Sequence, residues 1–217
     1  MHVFDGCVFP FPSGTVSISR YALELKGLGF SGYVVAGIPP ESRAGDSRAW
    51  TARYLTRVPA RLLARETGKN NQKNELVYVQ AGDAGYNRNV LTTPGVHVLT
   101  DMHTSPKDGF DRYCAQLAAE RMIGVNLSAR PLIELRDIAR QKVIRRYEEI
   151  FTLQNRYEFP LVLSSHATDI THLKSPREMI RLFSLAWKEE EILWKDNLLK
   201  RNYRMKHPHI LTMRKIK

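Results

Sequence analysis

Short apolar runs bounded by polar turns recur along the chain, alternating with longer stretches whose apolar positions follow a helical period. Val3 to Phe9, Gly32 to Ile38, Arg61 to Arg65, Leu76 to Gln80, Val96 to Thr100, Met122 to Leu127 and Leu161 to Ser164 read as strands. Ser17 to Leu28, Ser47 to Leu55, Gly109 to Glu120 and Arg136 to Tyr157 read as helices. Such alternation predicts a parallel sheet, and seven strands in 217 residues favour a barrel over an open sheet. The expectation is one α/β-barrel domain over residues 1–217, with a basic C-terminal extension from about residue 195. Gly68 to Asn74 reads as a polar turn between two strands.

The segment Leu161 to Glu178 carries the most local detail. Leu161, Val162 and Leu163 form an apolar run of the kind found in strands covered on both faces, and Ser164, Ser165 and His166 sit at its carboxyl end. Ser175-Pro176-Arg177-Glu178 reads as a helix start, with Ser175 as N-cap, Pro176 at the first helical position and Glu178 closing a capping box. Lys174 and Arg177 flank that start, where free amides and the helix dipole favour an anion; the alternative is an ordinary strand-to-helix connection with solvated charges. In the long helix, Val143, Ile144, Tyr147, Ile150 and Phe151 share one face that packs on the barrel. Lys142, Arg145, Glu149 and Arg156 project on the opposite side, with Arg146 on a flank. Mixed charge there reads as a solvated face or as an RNA contact.

The same residues carry a family resemblance. Ser164-Ser165-His166-Ala167, followed by Leu173-Lys174-Ser175-Pro176-Arg177-Glu178, resembles the late segment of ribonuclease P protein component 3, the archaeal relative of a eukaryotic ribonuclease P subunit. His2-Val3-Phe4-Asp5 through Pro10 is similar to the family's first strand, and Gly29 to Ala36 to its second. Leu117 to Arg121, Ile123 to Leu127 and Pro131-Leu132-Ile133 match its helix-strand-loop passage. The resemblance covers most of the chain to about Leu182 and fades after Phe183. It implies a TIM-like (β/α) barrel related to the polymerase and histidinol phosphatase metal hydrolases. It further implies a ribonuclease P subunit that binds the catalytic RNA and supports 5′-end maturation of precursor tRNA, the RNA carrying the catalysis. The implied polypeptide is non-catalytic and binds no cofactor, Mg²⁺ belonging to the RNA. The implied partners are ribonuclease P RNA, precursor tRNA as holoenzyme substrate, and another small ribonuclease P protein in a two-by-two heterotetramer.

Charge agrees with an RNA partner. The formal net charge is +11, and it is uneven: from Lys195 to Lys217 eight Lys or Arg face Asp196 alone, and from Arg43 to Lys73 eight face Asp46 and Glu66. Arg53, Arg57, Arg61, Arg65, Lys69 and Lys73 recur every four residues, but Pro59, Asn70 and Asn71 argue against one continuous helix, so the rhythm counts as charge rather than geometry. No membrane-type amphipathic helix is evident, no apolar run approaches the roughly 20 residues that cross a bilayer, and the start MHVFDGCVFPFPSG has no basic leader. A cytoplasmic protein is expected. Cys7 and Cys114 read as buried small apolar residues.

The enzymatic alternative is a free-standing metal-dependent phosphoesterase of the same barrel fold, and a third reading is a generic basic RNA-binding barrel. The related hydrolases open with His-x-His after the first strand, where this chain has Asp5-Gly6-Cys7. Asp5, His97, Asp101, His103 and His166 could still share a rim, but no catalytic or metal residue is assigned. Asp83, Tyr86, Asn87 and Arg88 read as another rim loop. The candidate RNA-binding residues are Arg130, His166, Lys174, Ser175, Arg177, Lys142, Arg145, Arg65, Lys200 and Arg201. Arg130 follows the strand ending at Leu127 and so should stand on the same rim as His166. Without a stacking platform, shape and backbone contacts should dominate over base reading.

Overall fold

Seven parallel strands follow one another around the sheet in chain order: β1 (Phe4–Val8), β2 (Gly32–Ala36), β3 (Ala49–Leu55), β4 (Leu76–Gln80), β5 (Val98–Thr100), β6 (Gly124–Ser128) and β7 (Leu161–Ser164). The computed structural model describes residues 3–37, 49–68 and 75–186, and the backbone pairing of 212–213. The ring closes at its carboxyl end, where Val8 pairs in parallel with Ala167, Phe9 N donates to Ala167 O at 2.8 Å and His166 N donates to Cys7 O at 3.0 Å. Lower on β7, an antiparallel strand β8 (Thr212–Met213) pairs with Val162 and Leu161. This is the expected TIM-like barrel, with α1 (Ile18–Gly27), α2 (Ala60–Gly68), α3 (Ala84–Thr92), α4 (Arg112–Arg121), α5 (Arg130–Glu134), α6 (Asp137–Tyr157) and α7 (Pro176–Phe183) in the connections.

Alternation along the strands sorts two cores. Val77 and Val79, Val125 and Leu127, and Leu161 and Leu163 join the outer core with Leu63 of α2, Leu91 of α3, Ala118 of α4, Tyr147 and Phe151 of α6 and Phe183 of α7. Tyr21 and Leu25 of α1 cover Tyr33 and Val35 in a second outer cluster. Their neighbours on the opposite face, Cys7, Val34, Ala36, Ala52, Leu76, Tyr78, Val98 and Val162, fill the barrel interior. Coverage on both faces explains why β2, β6 and β7 are buried at every position. Cys7 and Cys114 are free and buried.

Two elements exchange type relative to the sequence reading. Residues 47–55, expected as a helix, contain β3, where Trp50, Ala52 and Tyr54 recur with period two and face the inner core. Residues 61–65, expected as a strand, lie within α2, whose Arg, Leu and Ala are strong helix formers and whose Leu63 and Thr67 are buried one turn apart. Gly68 therefore ends a helix, and the rest of the expected 68–74 turn lies outside the described residues. Asp83 is an N-cap rather than part of a rim loop: its side chain accepts from Tyr86 N and opens α3.

β1 and β7 meet closely at Gly6. A Cβ there would lie 2.5 Å from Val162 Cγ1 and 2.8 Å from Leu163 O, so only glycine lets the two strands approach. Gly6→Ala is expected to destabilise the fold by about 1–3 kcal/mol through overpacking. A lowered urea midpoint at unchanged slope is the signature, and an unchanged midpoint would show that the seam has room.

Candidate nucleic-acid interface

The carboxyl end of the barrel is lined by polar residues from five strands or the turns that follow them. Asn126 of β6, fully buried, donates from Nδ2 to Ser164 Oγ at 2.9 Å, and Thr100 Oγ1 donates to Asn126 Oδ1 at 3.2 Å. Above this layer Asp5 is 1% exposed, and its Oδ1 accepts from Cys7 N at 3.1 Å and Ser165 N at 2.9 Å. Asp5 Oδ2 has no hydrogen-bond partner among the described residues. Burial pushes the Asp5 carboxyl up to about 6, against hydrogen bonds from Ser165 and Cys7 that pull it down.

His166 is 3% exposed and holds a left-handed backbone, φ 51°, that turns its ring into the mouth. Its Nε2 lies 3.3 Å from Thr100 Oγ1 and its Nδ1 3.6 Å from Asp101 Oδ1. Burial lowers its pKa to about 4, with Arg130 and His103 acting in the same sense and Asp101 against it, so the ring is neutral at pH 7. Tyr54 donates to Asp101 Oδ2 at 2.7 Å. Phe9, Tyr54 and His166 pack edge to face, with centroids 5.0, 5.3 and 5.9 Å apart, and plug the opening.

That plug does not fit a catalytic metal. Among the described residues no three His, Cys, Asp or Glu side chains converge as ligands. His97 stands at the opposite end of the barrel, where its Nδ1 accepts from Val77 N at 3.0 Å. Asp5 is engaged with amides and His166 with Thr100 and Asp101. His103 Nδ1 has no hydrogen-bond partner among the described residues, and burial lowers its pKa.

The sequence-derived RNA contacts fall on different parts of this frame. His166 is corrected: burial withdraws its ring from any macromolecular ligand. Ser175 is half-buried and engaged in its capping box: Glu178 Oε2 accepts from Ser175 N at 2.8 Å and Oγ at 2.7 Å, placing the chain's own carboxylate at the helix start. These same bonds from Ser175 lower the Glu178 pKa. Arg130 opens α5 on the rim, its backbone N donating to Ser165 O at 3.1 Å and its Nε 3.4 Å from Glu134 Oε2. Glu134 Oε1 is in turn 3.1 Å from His172 Nε2. Lys174 folds back, donating from Nζ to Thr171 O at 2.9 Å and Leu173 O at 3.0 Å, whereas Arg177 is exposed on the first turn of α7.

Lys142 and Arg145 are exposed on α6, and Arg145 lines a shallow groove with Asp108, Glu148 and Glu149 among others. Arg65 is exposed on α2, across the barrel from α6 and α7. Lys200 and Arg201 lie outside the described residues. Exposed Arg57 and Arg61 stand near Arg65 and were signalled in the sequence by the four-residue rhythm.

Opposite titrations meet in the mouth. Asp5, harder to ionise in the fold, contributes stability that is complete below about pH 3.8 and fades as pH rises to about 6. His166, harder to protonate in the fold, contributes stability that is complete above about pH 6.5 and fades as pH falls to about 4. Each is worth about 3 kcal/mol, so the two nearly cancel. Asp5→Asn should leave stability rising from about pH 4 to 6.5, and His166→Asn should leave it falling from about pH 3.8 to 6. Urea midpoints across this range measure both slopes; parallel profiles for the two variants would contradict the assignment.

A family model described as RNase P subunit p30 matches residues 2–190. Ribonuclease P protein component 3 of Methanosarcina barkeri is 25% identical over 196 residues, covering 87% of this chain and 82% of that protein. The same component of Thermococcus kodakarensis is 32% identical over 129 residues, covering 59% of this chain and 57% of that protein. In three dimensions the chain is similar to one in the cryo-EM structure of archaeal ribonuclease P with mature tRNA, at TM-score 0.71 and 17% identity over 95% of this chain and 97% of that one. It is also similar to histidinol phosphate phosphatase of Lactococcus lactis, at TM-score 0.56 and 8% identity over 85% of this chain and 94% of that one. The two structural likenesses speak to the fold.

Proposed function

The chain belongs to the RNase P subunit p30 family, and from that premise we propose that it acts as a protein subunit of ribonuclease P, binding the catalytic RNA and supporting 5′-end maturation of precursor tRNA. The family match over residues 2–190 carries this reading. The site chemistry supports a polypeptide that leaves catalysis to the RNA. A metal phosphoesterase needs clustered nitrogen and oxygen donors at the barrel mouth, and this mouth holds a neutral histidine inside an aromatic plug.

The mechanism is electrostatic. Folding an RNA brings phosphates together, and cations on a rigid protein surface lower that repulsion while releasing condensed counterions. A net charge of +11 supplies the long-range attraction. Exposed Arg177, Lys142 and Arg145, and rim-held Arg130, are the proposed phosphate contacts, with Lys174 contributing if its terminus leaves the backbone carbonyls. Mg²⁺ is assigned to the RNA. The proposed setting is cytoplasmic, with precursor tRNA as holoenzyme substrate and a second small ribonuclease P protein as partner in a two-by-two assembly. No described helix is long and apolar enough to cross a membrane.

Reconstitution of precursor-tRNA cleavage tests the reading. The protein alone should leave precursor tRNA intact, and adding it to the catalytic RNA should raise the cleavage rate. Arg130→Gln and Arg177→Gln should each weaken RNA affinity and reduce the magnitude of the logarithmic salt slope by about 1, with the fold intact. Cleavage by protein alone, abolished by chelator and restored by metal, would overturn the proposal.

A further inference from the structure

Four arginines on the described surface stand beside acids. Arg20 meets Glu24, Arg88 meets Asp111, Arg130 meets Glu134 and Arg146 meets Glu149. The wall over β3 and β4 gathers three that do not. Leu63 and Thr67, each 1% exposed, fix α2 on the sheet and leave Arg61 and Arg65 exposed, one turn or about 6 Å apart along the helix. Arg57, also exposed, precedes the helix with a left-handed φ of 52°. Among the described residues none of these three has an acidic partner. The helix holds one acid, half-buried Glu66, whose backbone carbonyl accepts from the Arg53 guanidinium.

Like charges one turn apart cost a helix a few tenths of a kcal/mol, and a non-glycine residue in left-handed backbone adds about 1 kcal/mol. Both costs fall on exposed positions, where burial offers no compensation. The shape of the face also specifies a ligand. Ala60 and Ala64 are exposed between the arginines and keep the face low, and guanidinium forks match phosphate oxygens. The face carries no aromatic side chain on which bases could stack, which points away from single strands.

We infer that the exposed face of α2, with Arg57, Arg61 and Arg65, is a second RNA-docking surface that grips the phosphate backbone of duplex RNA. The inference rests on the proposed RNA partner and adds a location and a ligand form. α2 lies between β3 and β4, while Arg130, α6 and α7 belong to the β6–β7 side of the ring, so the two surfaces address separate RNA segments. A subunit with two such walls bridges helices of one RNA instead of coating one site.

The test measures binding of the full chain to a mixed-sequence RNA duplex of about 16 base pairs, and to its separated strand, across a salt series. Arg61→Gln with Arg65→Gln should reduce the magnitude of the logarithmic salt slope for the duplex by about 2, and Arg57→Gln by about 1 more. Arg61→Lys with Arg65→Lys should keep the wild-type slope, and an unchanged melting temperature shows that the fold survives. Combining the Gln pair with Arg177→Gln should add the two losses if the walls are independent. An unchanged slope in the Gln pair, or wild-type preference for the single strand, overturns the inference. Stimulation of precursor-tRNA cleavage is scored separately: if it persists while the α2 variants bind duplex like wild type, the α2 surface fails and the subunit reading stands. If stimulation by wild type is absent, the subunit reading fails.

Discussion

One carboxylate oxygen, Asp5 Oδ1, holds the seam where the last parallel strand meets the first. It accepts from Cys7 N within its own strand and from Ser165 N across the seam, joining residues 160 positions apart. Gly6 removes the side chain that would keep the two strands from approaching. With the seam fixed, Ser165 O receives Arg130 N, and His166 enters a left-handed turn with its ring inside the barrel. Both the mouth and the rim cation therefore follow from this closure. The arrangement has a cost, visible in the raised pKa of Asp5 and in its second oxygen, which has no hydrogen-bond partner among the described residues, and the neutral ring of His166 keeps a second charge out of the same small volume.

The barrel was legible in the sequence because parallel strands covered on both faces leave uninterrupted apolar runs. Leu161–Ser164 appears at its expected bounds, and α7 starts at Pro176 behind the Ser175–Glu178 capping box. Such signals are local and survive any tertiary context. The exchange of helix and strand at 47–55 and 61–65 has a different cause. The Trp50, Ala52, Tyr54 alternation gains its meaning only once β2 and β4 lie on either side, and the short Arg61–Arg65 run lacks the length to separate the two periods.

The site was less legible than the fold. His166 at a strand end reads as a surface ligand until its own backbone dihedral, and the Asp5 carboxylate that holds the neighbouring Ser165 N, turn it inward. Ser175 and Lys174 look available for phosphate, yet Glu178 and two backbone carbonyls occupy them. A capping box satisfies a helix start and thereby removes it as an anion seat, so its strength as a structural signal counts against it as a binding signal. Arg61 went unassigned for the converse reason: its exposure depends on the helix that the short run concealed.

These displacements separate charge from cavity. A metal hydrolase on this fold concentrates its polar groups where the strands point, at the mouth. Here the mouth is closed by Phe9, Tyr54 and His166, while Arg61 and Arg65, with no acidic partner among the described residues, stand exposed on α2. A deep pocket selects a small substrate by enclosing it, whereas a polyanion of many phosphates is engaged by area and by the number of cations that face it. Closing the mouth sacrifices nothing for the second task, since the cations that face a polyanion stand on the outer helices and not in the mouth. The same seam that turns His166 into the mouth also seats Arg130 on the rim, so one closure sets both the plugged interior and a cation of the outer surface.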